Sequence, residues 1–131
     1  MKTYLLFTFF FLSTALSAQI IYVDQDATGQ NNGSSWTNAY TDLNEALDVA
    51  QYGDSIWVAE GTYFPTDDND RTQHFTLRSG VKLIGGFIGT ETEKTQRDWE
   101  TYLTILDGDI GIPGDSTDNS YHVISNSGLD S

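Results

Sequence analysis

Two pairs of aspartates at alternate positions are the side chains of this sequence best suited to bind a cation. Asp24 and Asp26 precede the turn residue Gly29, and Asp107 and Asp109 share a second acidic turn. Carboxylate oxygens at short spacing are the ligands that calcium prefers. We therefore predict calcium as the candidate cofactor, with these four aspartates as its candidate ligands. The first loop departs from an EF-hand because its twelfth residue is serine, so a solvated acidic turn is the alternative interpretation.

Aromatic side chains are a second feature with chemical potential, because their rings can stack on sugars. Trp57 lies between Ile56 and Val58 in a strand-like run. Side chains alternate along a strand, so the ring of Trp57 is expected on the opposite face from its two neighbours. We predict Trp57 as a carbohydrate-stacking residue.

Catalytic residues are not assigned anywhere in the chain. A polysaccharide lyase would use arginine or lysine near the sugar, and a glycosidase would use paired carboxylates. The basic residues form no motif, and with 19 acidic residues in the chain, carboxylate pairs arise by chance. The sequence therefore predicts that this chain binds a ligand or partner and carries no catalytic site of its own.

The first residues are typical of a secretory signal peptide. Lys2 is followed by an apolar run at residues 5–12 (LLFTFFFL) and a small-residue stretch at 13–18 (STALSA). This order predicts cleavage after Ala18, and the apolar run is far shorter than the roughly 20 residues of a spanning helix. We expect a protein that is secreted or held at the cell surface in association with the outer membrane, with no transmembrane segment once the signal is removed.

The composition limits the partners. The chain has 131 residues, no cysteine and a formal net charge of −13. Nucleic-acid binding needs a basic patch, so we exclude nucleic acid as a partner. The length suits one small domain, which without disulfides is expected to depend on ions or on further chain for stability.

The elements that would position these residues are one helix and several short strands. Leu43, Ala46, Leu47 and Ala50 form an apolar stripe, and Thr41 is suited to cap that helix. Short strands follow between glycines, and their apolar centres are Ile56, Leu83, Ile105 and Ile124. The spacing between these centres is close to the roughly 20–30 residues of solenoid repeats.

This organisation predicts a mainly β fold, the start of a right-handed parallel β-helix (solenoid) capped by one N-terminal amphipathic helix. The expected divisions are a signal peptide at 1–18, a strand, loop and capping helix at 19–52, and incomplete β-helix coils at 53–131. An ordinary small α+β domain or a β-sandwich is the alternative.

Several segments also carry a family resemblance. Residues 53–63 (GDSIWVAEGTY) resemble the first-coil signature of pectin-lyase-like proteins. The segments 81–87 (VKLIGGF), 96–99 (QRDW) and 104–109 (TILDGD) fit the same likeness. Together they resemble the N-terminal region of secreted β-helix proteins from Bacteroidetes-type bacteria.

The resemblance implies an exported structural or binding module, with polysaccharide or another cell-surface component as its partner. It implies as an alternative the N-terminal part of an extracellular polysaccharide lyase or hydrolase whose active site lies beyond this sequence. Such proteins are usually much longer, so we expect the chain to be a fragment. The likeness is specific for fold and export, but it covers proteins of many activities.

Overall fold

The computed structural model describes residues 2–10, 12 and 17–127 of the chain. These residues form seven strands, one α-helix and one short 3-10 helix at Lys94–Gln96. The other elements, in chain order, are β1 (Ile20–Val23), α1 (Leu43–Val49), β2 (Ser55–Ala59), β3 (Gly61–Tyr63), β4 (Phe75–Arg78), β5 (Lys82–Phe87), β6 (Thr104–Leu106) and β7 (Ile124–Ser127).

The strands form three sheets, and every pairing between them is parallel. One sheet has the order β1-β2-β5, and the other two consist of β3-β6 and β4-β7. In the larger sheet Ile21 pairs with Ile56, which pairs in turn with Leu83. These aligned apolar side chains contribute one wall of the core, since residues in register on one face contact each other across the strands.

The register confirms one part of the expected strand alignment and corrects the rest. Ile56 and Leu83 are partners, as their spacing predicted. Ile105 instead pairs with Thr62, and Ile124 pairs with Phe75, each in a different sheet. A pattern of short apolar runs predicts that strands exist, but it does not specify which strand each one joins.

The helix α1 lies where the apolar stripe predicts it. Its buried residues are Leu43, Ala46 and Leu47, and it packs against β4, β1 and β2. The N-cap is Asp42 rather than the expected Thr41: the Asp42 carboxylate accepts a hydrogen bond from Asn44 N at 2.8 Å. A carboxylate oxygen at this position satisfies one of the free N–H groups of the first turn and interacts favourably with the helix dipole.

The expected fold, a right-handed parallel β-helix capped by an N-terminal helix, is wrong. The described residues form short, separate parallel sheets of three, two and two strands, and no solenoid. The strands are three to six residues long, so each sheet offers few ladder hydrogen bonds. The connections between sheets range from the single residue Glu60, between β2 and β3, to residues 107–123, between β6 and β7. The helix shares one core with Val23, Phe75 and their neighbours rather than covering the end of a stack.

The described part of the predicted leader has no regular secondary structure. Residues 2–10 and 12 are exposed and in no helix or strand, whereas residues 13–16 of the predicted cleavage region lie outside the described residues. Within the part of the chain that the structure describes, no helix has the length and apolar character needed to span a bilayer.

Candidate functional site

A cleft of about 330 Å³ opens beside the start of α1 and the end of β3. Its volume is at the lower end of the roughly 300–1,000 Å³ typical of small-molecule sites. The lining combines hydroxyl, carboxylate, amide and aromatic groups, from Gln25, Thr41, Asp42, Leu43, Thr62, Tyr63, Phe64, Thr66 and Asp67.

A second cleft of about 210 Å³ continues from the first. The two share Phe64, Thr66 and Asp67, and the far side of the second is formed by Asp109, Ile110, Gly111 and Pro113. We call the two clefts together the Phe64 groove. Phe64 lines both clefts, and carboxylates line each of them: Asp42 and Asp67 in the first, Asp67 and Asp109 in the second.

Strand alternation places Phe64 in the groove. Its neighbour Tyr63 is 4% exposed, and the Tyr63 hydroxyl donates a hydrogen bond to Ala59 O at 3.1 Å. Because consecutive side chains of an extended chain point in opposite directions, Phe64 is directed outward and is 42% exposed. Burial raises the pKa of Tyr63, with the nearby acids Asp24 and Asp26 adding to that effect, so the phenol stays protonated.

The loop after Phe64 is tied to the helix. Asn44 Nδ2 donates to Pro65 O at 3.1 Å, which joins the first turn of α1 to the loop between the groove residues Phe64 and Thr66. Beyond it, Asp68 N donates to Thr66 Oγ1, and Asp70 N donates to Asp68 Oδ1. These local hydrogen bonds fix the loop without a helix or strand, as Asp and Thr side chains commonly do in turns.

The opposite side of the groove is fixed in the same way. Asp107 accepts a hydrogen bond from Asp109 N at 2.9 Å, and Asp109 Oδ2 accepts one from Gly114 N at 2.8 Å. Asp118 Oδ2 accepts a further one from Ile112 N. The second acidic turn is therefore held by its own carboxylates.

The charge of the groove is negative. Asp42, Asp67 and Asp109 line it, and none of its lining residues is lysine or arginine. Two of the arginines have partners elsewhere: Arg71 donates to Asn119 O and lies over the Tyr121 ring, and Arg97 donates to Gly85 O and lies over the Trp99 ring.

The structure places the predicted stacking residue, Trp57, inside the molecule. Its side chain is 5% exposed, and its ring is stacked on Phe87 with centroids 4.7 Å apart and an interplanar angle of 9°. Tyr22 and Trp36 lie against the same cluster. Alternation does direct Trp57 away from the Ile56 face, but loops cover that second face, so the ring offers no open surface to a sugar.

The four predicted calcium ligands lie in two different loops, one after β1 and one after β6. Asp24 Oδ1 accepts a hydrogen bond from Asp26 N at 2.9 Å, which parallels the bond between Asp107 and Asp109. Among the residues that the structure describes, no three acidic or histidine side chains converge as a metal site would require. The carboxylates of Asp24, Asp107 and Asp109 accept backbone hydrogen bonds within their turns. Calcium binding by the four aspartates stays a prediction.

Sequence reasoning missed Phe64 and Asp67 as site residues. Phe64 had a usable signal, because a strand that buries Tyr63 must direct the next side chain outward. No sequence pattern indicates that Asp67 and Asp109 line the same groove, because their two loops are distant in sequence and meet only in the folded chain.

Comparison of the chain with protein-family models, with curated proteins and with solved structures gave no match.

Proposed function

We propose that this protein is an exported module that binds neutral polysaccharide in the Phe64 groove. The observation that carries the proposal is an exposed phenylalanine ring at the junction of two clefts lined by hydroxyl, amide and carboxylate groups. The apolar C–H face of a sugar packs on an aromatic ring, and its hydroxyl groups pair with carboxylate and amide acceptors. Two clefts that share one exposed aromatic ring offer room for more than one sugar unit.

The charge of the groove selects the kind of glycan. Uronate and sulfate groups would face Asp42, Asp67 and Asp109 with no lining lysine or arginine to offset the repulsion. Repulsion between the negative groups of such a glycan and these carboxylates opposes binding, particularly in a partly enclosed cleft. Uncharged hydroxyl groups instead form charge-assisted hydrogen bonds to carboxylates, which are stronger than neutral ones.

The exported location is supported by the leader-like first residues. Lys2, the apolar run at 5–12 and the small residues at 13–18 are in the order that signal peptides show. Loss of the leader removes Lys2 and makes the remaining chain more acidic, which suits an extracellular protein that must stay soluble.

Isothermal titration with neutral oligosaccharides, such as those of glucose, xylose and mannose, tests the proposal. Phe64→Ala should weaken binding about fivefold to tenfold, because one aromatic contact contributes about 1 kcal/mol. Tyr52→Ala is the matched control, since Tyr52 is an 85% exposed aromatic residue outside the groove. Equal affinity of the wild type and the Phe64 variant, or preferential binding of polygalacturonate, would contradict the proposal.

A further inference from the structure

Gln19 is the point at which the chain joins the fold. Its backbone N–H donates to Asp54 Oδ1 at 3.0 Å, and its carbonyl accepts from Ser55 N at 3.0 Å. The next residue, Ile20, begins β1 and pairs with Ser55. Gln19 is also the residue directly after the predicted cleavage point at Ala18, and residues 17–19 are exposed to a peptidase.

Asp54, which receives this hydrogen bond, is a buried acid. It is 3% exposed and lies in the turn between α1 and β2. Its second carboxylate oxygen accepts from Gln51 N at 2.9 Å. Burying a carboxylate is costly unless it is paired, and its donors in the uncleaved chain are neutral amides: the backbone N–H groups of Gln19 and Gln51 and the side-chain amide of Gln19.

Among the described residues, no charged neighbour supplies the missing positive charge. The ionisable side chains on the adjoining elements and turn are exposed, and none of them forms a hydrogen bond or ion pair with the Asp54 carboxylate: Glu45, Asp48, Tyr52 and Lys82. Lys82 contacts the residue only through its backbone, as Lys82 N donates to Asp54 O.

We propose that signal-peptide removal creates a latch, in which the new α-ammonium group of Gln19 forms an ion pair with Asp54. Cleavage after Ala18 leaves the Gln19 nitrogen in place and converts a neutral amide donor into a cation at the same 3.0 Å position. The inference rests on the exported part of the proposed function and is independent of the glycan-binding groove. It makes the docking of β1 stronger after processing than before.

The latch also protects the new N-terminus. An N-terminal glutamine cyclises when its unprotonated α-amine attacks its own side-chain amide carbon, forming the C–N bond of a lactam and releasing ammonia. An α-ammonium held by a carboxylate has no free electron pair for this attack. Pairing with Asp54 is therefore expected to slow the cyclisation of Gln19.

The first test is to express the full chain in an exporting bacterial host and to determine the first residue of the secreted product by intact mass and N-terminal sequencing. The expected first residue is Gln19, uncyclised and with its side-chain amide intact. A secreted chain that begins elsewhere, or that has cyclised completely, overturns the latch without bearing on glycan binding.

The second test is a cycle of two changes. Secreted chains that begin at Gln19 or retain Ala18 are each prepared with Asp54 or Asp54→Asn, and urea unfolding is measured at neutral pH. Asp54→Asn should lower the folding equilibrium constant about tenfold more in the chain beginning at Gln19, because a charged hydrogen bond is lost only there. Equal losses in both backgrounds overturn the proposal.

A third measurement does not depend on the folding of a variant. The α-amine of the wild-type secreted chain is labelled by reductive methylation with ¹³C-formaldehyde, and its titration is followed by NMR. A group paired with Asp54 should titrate at a higher pH in the folded chain than in the same labelled chain unfolded in urea, whereas equal midpoints overturn the latch. Glycan affinity is measured on the same sample, so failure of either proposal is recognised separately.

Discussion

Replacement of Trp57 by alanine distinguishes a structural from a ligand-binding role for this residue. The side chain is 5% exposed, is stacked on Phe87 at 4.7 Å, and contacts Tyr22 and Trp36 edge-on or tilted at 5.9 and 6.5 Å. Removing a buried tryptophan costs about 3–5 kcal/mol, which includes the cavity that remains. With these ring contacts, the expected value for Trp57→Ala is about 4 kcal/mol, in the middle of that range.

A loss of this size is large for a small domain, whose total free energy of unfolding is roughly 5–15 kcal/mol. The expected fall in the unfolding midpoint is on the order of 15 °C, since each kcal/mol shifts it by about 4 °C or more in a domain of this size. Urea and thermal unfolding should be followed by far-UV circular dichroism, because the mutation removes a fluorescent reporter.

Two further variants make the experiment decisive. Trp57→Phe keeps a ring in the cluster and should cost only about 1–2 kcal/mol, so it remains measurable if the alanine variant does not fold. Trp99→Ala is the control: Trp99 is 61% exposed and its removal should cost less than about 1 kcal/mol. A cost below about 1 kcal/mol for Trp57→Ala, or weaker glycan binding by folded Trp57→Phe, would refute the structural role.

Three other predictions concern two buried carboxylates and a glycine of β5 that has a positive φ. Glu91→Gln should lower the free energy of unfolding, measured by urea denaturation, by about 2 kcal/mol, because this buried carboxylate accepts hydrogen bonds from the backbone N–H groups of residues 88–90. The control is Glu60→Gln, since Glu60 is exposed. Equal effects of the two changes would contradict the prediction. Burial acts to raise the pKa of Asp54, but hydrogen bonds from residues 19 and 51 outweigh it and lower that pKa. The resulting stabilisation is present above the unfolded pKa of about 3.9 and is lost as the pH falls through the folded pKa. In Asp54→Asn, the free energy of unfolding should therefore fall less steeply as the pH is lowered into the acid range. An unchanged dependence on pH would argue against this prediction. Gly86 and Gly114 have φ of +88° and +83°, but an added Cβ at Gly86 would lie 2.9 Å from a tryptophan Cα, whereas Gly114 has nothing within 4 Å. Gly86→Ala should therefore be the more destabilising by at least about 1 kcal/mol, and similar melting temperatures of the two variants would exclude the clash.

The error in the predicted fold has an identifiable origin. The apolar spacing that related Ile56 to Leu83 was real, and those residues are partners in one sheet. The same reasoning placed Ile105 and Ile124 in the same series, whereas they pair with Thr62 and Phe75 in separate sheets. Local alternation determines that a segment is extended, but strand partners are chosen by long-range packing, which short and similar apolar runs do not encode individually.

The sequence by itself determined the elements whose cause is local. The helical stripe of Leu43, Ala46 and Leu47 is confirmed. Alternation correctly placed Ile56 and Val58 on the core face of β2 and Trp57 on the other face. The tertiary structure alone decided that the second face of β2 is covered, which buries Trp57, and that two distant loops meet at Phe64 to form a groove. The physical reason is that periodicity follows from the geometry of a few neighbouring residues, whereas the exposure of a face depends on which distant segments fold over it.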